Sequence, residues 1–218
     1  MKIFLDTADL NEIRRANEAG LIDGITTNPS LLAKVAGDRS PRDIFLDICR
    51  EVDGPVSAEV VAIDAEGMVS EGRKLADIHE NIVVKVPLTE NGLRACRTLR
   101  ANEIRVNVTL CFSAVQALLA AKAGASYISP FVGRLDDVGH DGIEIVSEIR
   151  EVYDEYELET EILAASLRHP KHVLESALVG ADCATLPPGV LYKLLRHPLT
   201  DAGLESFLAD WKALGKGL

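Results

Sequence analysis

Eight short β-branched or apolar runs recur along the chain, each followed by an amphipathic stretch, and this alternation restricts the fold more than any other feature of the sequence. The runs are KIFLDT from Lys2, GITTN from Gly24, VSAEV from Val56, IVVKV from Ile82, RVNVTL from Arg105, SYISPF from Ser126, EILAAS from Glu161 and CATLP from Cys183. Helical apolar spacing falls between or after them, over Asp9–Ala19, Asp43–Val52, Ala65–Ile78, Leu93–Leu99, Ser113–Ala123, Ile143–Tyr156, Lys171–Val179 and Val190–Arg196. No Pro/Gly/Ser-rich linker interrupts the series. A repeated strand-helix unit of this kind predicts an α/β fold, a single-domain (β/α)8 TIM barrel over residues 1–198. The open doubly wound sheet is the alternative, but no GxGxxG or GxxxxGK[ST] follows any run to supply a nucleotide site. With 218 residues the chain lies near the lower limit of about 200 for the barrel, so its loops must be short.

Past His197-Pro198, residues 199–218 read as one extra C-terminal helix, with Thr200 and Asp201 as N-cap candidates and Leu204, Phe207, Leu208, Trp211 and Leu214 on one face. Such a stripe beyond a complete barrel either covers the barrel's own exterior or packs on a neighbouring subunit as an inter-subunit arm. The spacing leaves both open.

Charge and composition exclude several partners. Acidic residues outnumber basic ones 34 to 23, and the net charge of −11 repels nucleic acid and anionic membrane surfaces. No stretch approaches the ~20 apolar residues that span a bilayer, and MKIFLDTADL lacks the apolar length of a signal peptide. Cys49, Cys96, Cys111 and Cys183 have no CxxC spacing and lie among apolar neighbours, so they read as reduced core residues of a cytoplasmic protein.

In a parallel barrel, chemistry gathers at the carboxyl ends of the strands, and side chains two apart face the same way. Polar residues collect at those ends here: Asp6, then Thr26-Thr27-Asn28, Glu59, Lys85, Asn107 with Thr109, Ser129 with Phe131 and Arg134, and Ser166 with Arg168. Lys85 is the most pointed of them, an amine between Val84 and Val86 in a run that should be buried. Burial disfavours the charged form, and a neutral lysine amine reacts with carbonyl substrates to give a Schiff base. The iminium is an electron sink, so an adjacent carbon–carbon bond can break once a base takes a hydroxyl proton; Asp6 and Glu59 are the carboxyls in reach. Arg134 and Arg168, with Ser166, stand where barrels commonly hold phosphate groups, and arginine grips phosphate bidentately. The five histidines form no recognisable ligand set; His169 and His172 come nearest, and neither a metal nor a cofactor is expected. These residues together point to an aldol-type enzyme acting on phosphorylated ketoses.

Nearly the whole chain resembles the transaldolases, and their short subfamily that includes the fructose-6-phosphate aldolases. The likeness is carried by FLDTADLNEI, GITTNPSLL, VSAEV, IVVKVPLTENGL, NVTLCFSAVQALLAAKAGASYISPFVGRLDD and GADCATLPPGVLYKLLRHPLTDAGLESFLADWK. The resemblance implies that Lys85 forms the Schiff base with a ketose phosphate and that Asp6 takes the hydroxyl proton in aldol cleavage. It also implies that Asn28 and Asn107 hold the dihydroxyacetone hydroxyls, with Thr26 beside them, and that Glu59 and Thr109 position a proton-shuttling water. Arg134, Ser166 and Arg168 would hold the phosphate. Three positions divide the family: the aldolases carry Gln, Ala and Tyr where this chain has Glu59, Ser129 and Phe131, which is the transferase pattern. The expected reaction is therefore transfer of the dihydroxyacetone unit between ketose and aldose phosphates, with release of free dihydroxyacetone as the first alternative and a non-catalytic barrel that binds sugar phosphates as the second. The resemblance further implies a homo-oligomer, a pentamer or decamer, with the C-terminal helix against a neighbour.

Overall fold

The computed structural model describes residues 1–215. Eight parallel strands close into one barrel in sequence order: β1 (Lys2–Asp6), β2 (Gly24–Thr26), β3 (Val56–Glu59), β4 (Ile82–Pro87), β5 (Val106–Cys111), β6 (Tyr127–Pro130), β7 (Glu161–Ala164) and β8 (Cys183–Leu186). Eleven helices are described around it: α1 (Leu10–Glu18), α2 (Pro29–Val35), α3 (Pro41–Glu51), α4 (Ala65–Ala76), α5 (Glu90–Arg100), α6 (Ala114–Lys122), α7 (Val132–Asp136), α8 (Glu144–Glu155), α9 (Pro170–Leu178), α10 (Pro188–Leu194) and α11 (Pro198–Leu214). The chain is thus the (β/α)8 barrel with a C-terminal helix that its periodicity predicts. Residues 216–218 of the expected last helix lie outside the described residues.

Two helices escape the periodic reading: the five-residue α7 is too short to show a period, and α2 buries none of its residues and so has no core-facing stripe. Asn28 caps α2 by accepting from the Leu31 N–H at 2.9 Å, and Pro29 starts the helix where its missing donor costs nothing. The five-residue α7 follows Phe131 directly and makes no side-chain cap at its start. Both stand at the mouth of the barrel, after β2 and β6, where they bear on the site described below.

The register decides which side chains share the lumen. β4 alternates Val83 and Lys85 inward with Ile82, Val84 and Val86 outward, and the outward set joins the large core between barrel and helices. Val83 instead clusters with Phe4, Tyr127, Leu163 and Cys183, inward residues of four other strands. Phe4 and Tyr127 meet edge to face with centroids 6.2 Å apart. These apolar side chains fill the lumen below the polar ones, so the barrel is a packed core closed at its floor. Gly24 makes room for this packing: a Cβ there would lie 2.7 Å from the Pro55 carbonyl oxygen and 3.0 Å from the Phe4 ring.

All four cysteines are free and buried. Burial pushes each thiol upward, Cys49 to about 11 and Cys96 to about 12, so they serve as packing groups. Among the described residues no helix is long and apolar enough to cross a membrane. α11 contributes none of its side chains to the core; Leu199, Leu204, Phe207, Leu208, Trp211 and Leu214 are all exposed.

Candidate active site

Strand pairing brings the polar positions together one layer above the apolar floor. Asp6 is opposite Thr26, Glu59 opposite Lys85, Lys85 opposite Asn107 and Pro87 opposite Thr109. A cavity of about 140 Å³ opens at this level, lined by Asp6, Thr26, Asn28, Lys85, Thr109, Ser129, Phe131, Arg134 and Ser166 of the predicted residues. Leu163, Ala165 and Thr185 complete its wall.

Lys85 is buried, yet it is not surrounded by hydrocarbon alone. Its Nζ lies 3.0 Å from Glu59 Oε2 and donates to the Thr27 carbonyl oxygen at 3.0 Å. The flanking valines face the helices, as expected from alternation, but the neighbouring strand presents a carboxylate at the same height. The amine is therefore fixed in direction by two polar partners, a feature that only the β3–β4 register reveals.

Asp6 is held by a chain of hydroxyls. Thr26 Oγ1 donates to Asp6 Oδ1 at 2.7 Å and lies 2.6 Å from Thr185 Oγ1. The ionised carboxylate can only accept, so Thr26 gives it its single proton and Thr185 donates to Thr26. Thr185 is absent from the sequence reading because CATLP reads as apolar; its position two residues after the inward Cys183 is the signal that could have found it. The carboxylate does not cap α1, which Asp9 does by accepting from the Asn11 N–H. Burial raises the Asp6 pKa above its ordinary value, outweighing the Thr26 hydrogen bond and the charges of Lys85 and Lys34.

That elevation has a consequence for stability. Between the ordinary carboxylate value and the raised one, the folded chain holds a proton that the unfolded chain has released, so stability falls as pH rises through this window. At neutral pH Asp6 therefore costs stability relative to a side chain that does not titrate. Asp6→Asn is expected to raise Tm at pH 7 on the order of 2–4 °C, the response of a chain of this length to about 1 kcal/mol, with the gain shrinking in acid. Calorimetric melts of both proteins at pH 4 and pH 7 measure this, and an unchanged or lower Tm at pH 7 would contradict it.

On the far side, Asn107 is fully buried between Ser57, to whose Oγ it donates at 3.2 Å, and Ser129, from whose Oγ it accepts at 2.8 Å. Thr109 Oγ1 is buried with no hydrogen-bond partner. An orphaned hydroxyl in a cavity wall has capacity for a water or a substrate hydroxyl. Asn28 spends its side-chain oxygen on the α2 cap and retains its amide N–H donors beside the cavity.

The guanidinium groups occupy the rim. The Arg134 Cζ lies 4.8 Å above the Phe131 ring, which in turn meets Phe112 edge to face at 5.7 Å. Ser166 adopts φ 61°, the left-handed region unusual for a residue with a Cβ, at the end of β7. Arg168 is placed differently from its sequence companions: it does not line the cavity and binds Asp137 through both terminal nitrogens, Nη1 to Oδ1 at 2.7 Å among them. The structure thus gathers Arg134 and Ser166 at the cavity and holds Arg168 on the adjacent loop.

The arrangement suits amine chemistry on a carbonyl, with the Glu59 carboxylate 3.0 Å from the nucleophile, the Asp6 carboxylate in the same cavity wall as Lys85, and Arg134 at the rim. A family model described as "Transaldolase/Fructose-6-phosphate aldolase" matches residues 3–218. The chain is 61% identical over 217 residues to a probable transaldolase of Parvibaculum lavamentivorans, covering 99% of each chain. It is 60% identical over 213 residues to a probable transaldolase of Methanococcus maripaludis, covering 98% of each, and 56% identical over 218 residues to one of Jannaschia sp., covering all of both.

Proposed function

The chain belongs to the transaldolase/fructose-6-phosphate aldolase family, and on that premise we propose that it is a Schiff-base-forming transaldolase. It would carry a dihydroxyacetone unit from sedoheptulose 7-phosphate to glyceraldehyde 3-phosphate, yielding erythrose 4-phosphate and fructose 6-phosphate. The observation that carries this reading is the placement of a buried lysine amine 3.0 Å from the Glu59 carboxylate, in one cavity with Asp6.

In this mechanism Glu59 takes a proton from the Lys85 ammonium, and the freed amine adds to the ketose C2 carbon. Water leaves the carbinolamine, with Glu59 and the unpartnered Thr109 hydroxyl supporting the proton transfers. Asp6 then removes the proton of the C4 hydroxyl; the C3–C4 bond breaks, its electron pair enters the iminium as an enamine, and the shortened aldose departs. The acceptor aldose reverses these steps, and hydrolysis returns Lys85. Asn28 and Asn107 supply N–H donors to the bound hydroxyls while Thr26, its proton committed to Asp6, holds that carboxylate beside them, and Arg134, Ser166 and Arg168 serve the phosphate, Arg168 by exchanging Asp137 for it. The raised Asp6 pKa makes it a better base and sets the acid limb of the pH profile above the ordinary carboxylate range.

Glu59, Ser129 and Phe131 favour transfer over release of dihydroxyacetone. Borohydride reduction in the presence of fructose 6-phosphate should leave a ketose-derived mass on the Lys85 peptide, and an adduct on another lysine would overturn the mechanism. Release exceeding transfer at saturating erythrose 4-phosphate would favour the aldolase alternative. This reading takes the reaction to be cytoplasmic, carried out in an assembly of like subunits.

The exposed apolar face of α11 supports assembly as a pentamer or decamer, since six large apolar side chains in water on one helix call for a partner. Light scattering should give a multiple of the 23.6 kDa chain mass, falling toward that mass when the chain ends at His197. A monomer in both cases would refute the arm.

A further inference from the structure

His172 stands outside the cavity, in the first turn of α9, and the reaction above makes no use of it. It is buried, and both ring nitrogens are engaged. Nδ1 accepts from the backbone N–H of Arg168 at 3.2 Å, and Nε2 lies 2.9 Å from Asp136 Oδ2 at the end of α7. A single tautomer satisfies both contacts, the neutral ring with its proton on Nε2. Burial and the neighbouring His169, whose ring is 3.7 Å away, lower the His172 pKa against the opposing pull of Asp136 and Glu175, which suits that neutral form. Asp136 is anchored in turn, its Oδ1 accepting from the Gly142 N–H at 2.9 Å.

These contacts tie together the two segments that carry the rim guanidiniums. α7 bears Arg134 and ends at Asp136, and the next residue, Asp137, binds the Arg168 guanidinium. The loop after β7 bears Ser166 and Arg168, and the histidine joins it to α7 at a second point through the Arg168 main chain. We infer that His172 is a positioning residue for the phosphate corner, fixing the spacing between Arg168 and Arg134 and so setting affinity for the substrate phosphate without touching it.

The inference rests on the phosphate role given above to Arg134 and Arg168, and the test separates the two. KM and kcat are measured for fructose 6-phosphate and for unphosphorylated dihydroxyacetone, each with unphosphorylated glyceraldehyde as the acceptor, in the unaltered chain, His172→Ala, His172→Asn, Arg134→Ala and Arg168→Ala, each checked by its melting curve. His172→Ala should raise KM for the phosphorylated donor about tenfold, leave its kcat within about twofold and leave dihydroxyacetone unaffected. His172→Asn places an amide oxygen near the Nδ1 position, can still accept from Arg168 N–H, and should recover part of the loss. It also serves as the test if the alanine variant is unstable. Phosphate-selective losses in both arginine variants, with equal or no losses for the two donors in both histidine variants, would overturn the His172 role alone. Arginine variants without selectivity would overturn the phosphate corner and the inference together.

Discussion

Lys85→Met is expected to abolish the borohydride-trapped adduct and to lower turnover by about four orders of magnitude or more, as loss of a covalent nucleophile does. Methionine keeps the unbranched stem, so the lumen stays filled. It nevertheless strands Glu59. The side chains of the Lys85–Glu59 pair are only 8% and 17% exposed, and removing the amine leaves a carboxylate with little water and the Thr27 carbonyl without its donor. The expected destabilisation is about 1–3 kcal/mol, below the roughly 3–5 kcal/mol of a fully enclosed broken pair because Glu59 keeps some solvent. Adding Glu59→Gln to Lys85→Met should recover most of this loss while activity stays absent. Denaturant melts of the two variants, with trapping and turnover assays, measure both halves. Residual turnover above about a hundredth of the original would place the nucleophile elsewhere, and a double variant no more stable than the single one would remove the stranded-charge account.

Much of this site is legible in the sequence because barrel geometry converts chain position into spatial position. Once eight parallel strands are recognised, Asp6, Glu59, Lys85, Asn107 and Ser129 must meet at one mouth, and pairing of β3 with β4 and of β4 with β5 places Lys85 between Glu59 and Asn107. Register itself is not legible from a single run. For that reason the sequence brings Asp6 and Glu59 within reach of Lys85 without saying which carboxylate touches the amine, and the β3–β4 pairing sets Glu59 against it. Thr185 is hidden for a related reason: one hydroxyl in an apolar run has no pattern of its own, and its contact with Thr26 arises only when β8 closes onto β1. Short elements are hidden by length. α7 has five residues, fewer than two turns, yet its position decides where Arg134 points and which carboxylates meet Arg168 and His172. Arg168 shows the limit of inference from residue type: a guanidinium near a strand end is a phosphate candidate, but nothing in ASLRHP discloses that Asp137, in a different unit, holds it.

Gly133→Ala tests that rim through packing. Gly133 lies in α7, and its N–H donates to the Ser166 carbonyl oxygen at 3.2 Å. A Cβ added there would lie 2.3 Å from that same oxygen, 2.7 Å from Arg168 Nε and 2.9 Å from Arg168 Cγ. The arginine could swing aside, but the carbonyl belongs to the main chain of Ser166, which already holds a left-handed conformation and has little freedom to yield. The helix and the loop after β7 must therefore separate, carrying Arg134 away from Ser166. Overpacking of this kind costs about 2–3 kcal/mol, or roughly 5–10 °C in Tm for a chain of this length. Displacement of the rim by around an ångström should lower kcat/KM for phosphorylated donors about a hundredfold, while dihydroxyacetone, which has no phosphate to place, still forms its adduct at Lys85. Melting curves and the two-donor comparison measure these effects together. An unchanged Tm would mean that the loop accommodates the methyl group, and equal losses for both donors would mean that the disturbance reaches the lumen and is not confined to the rim.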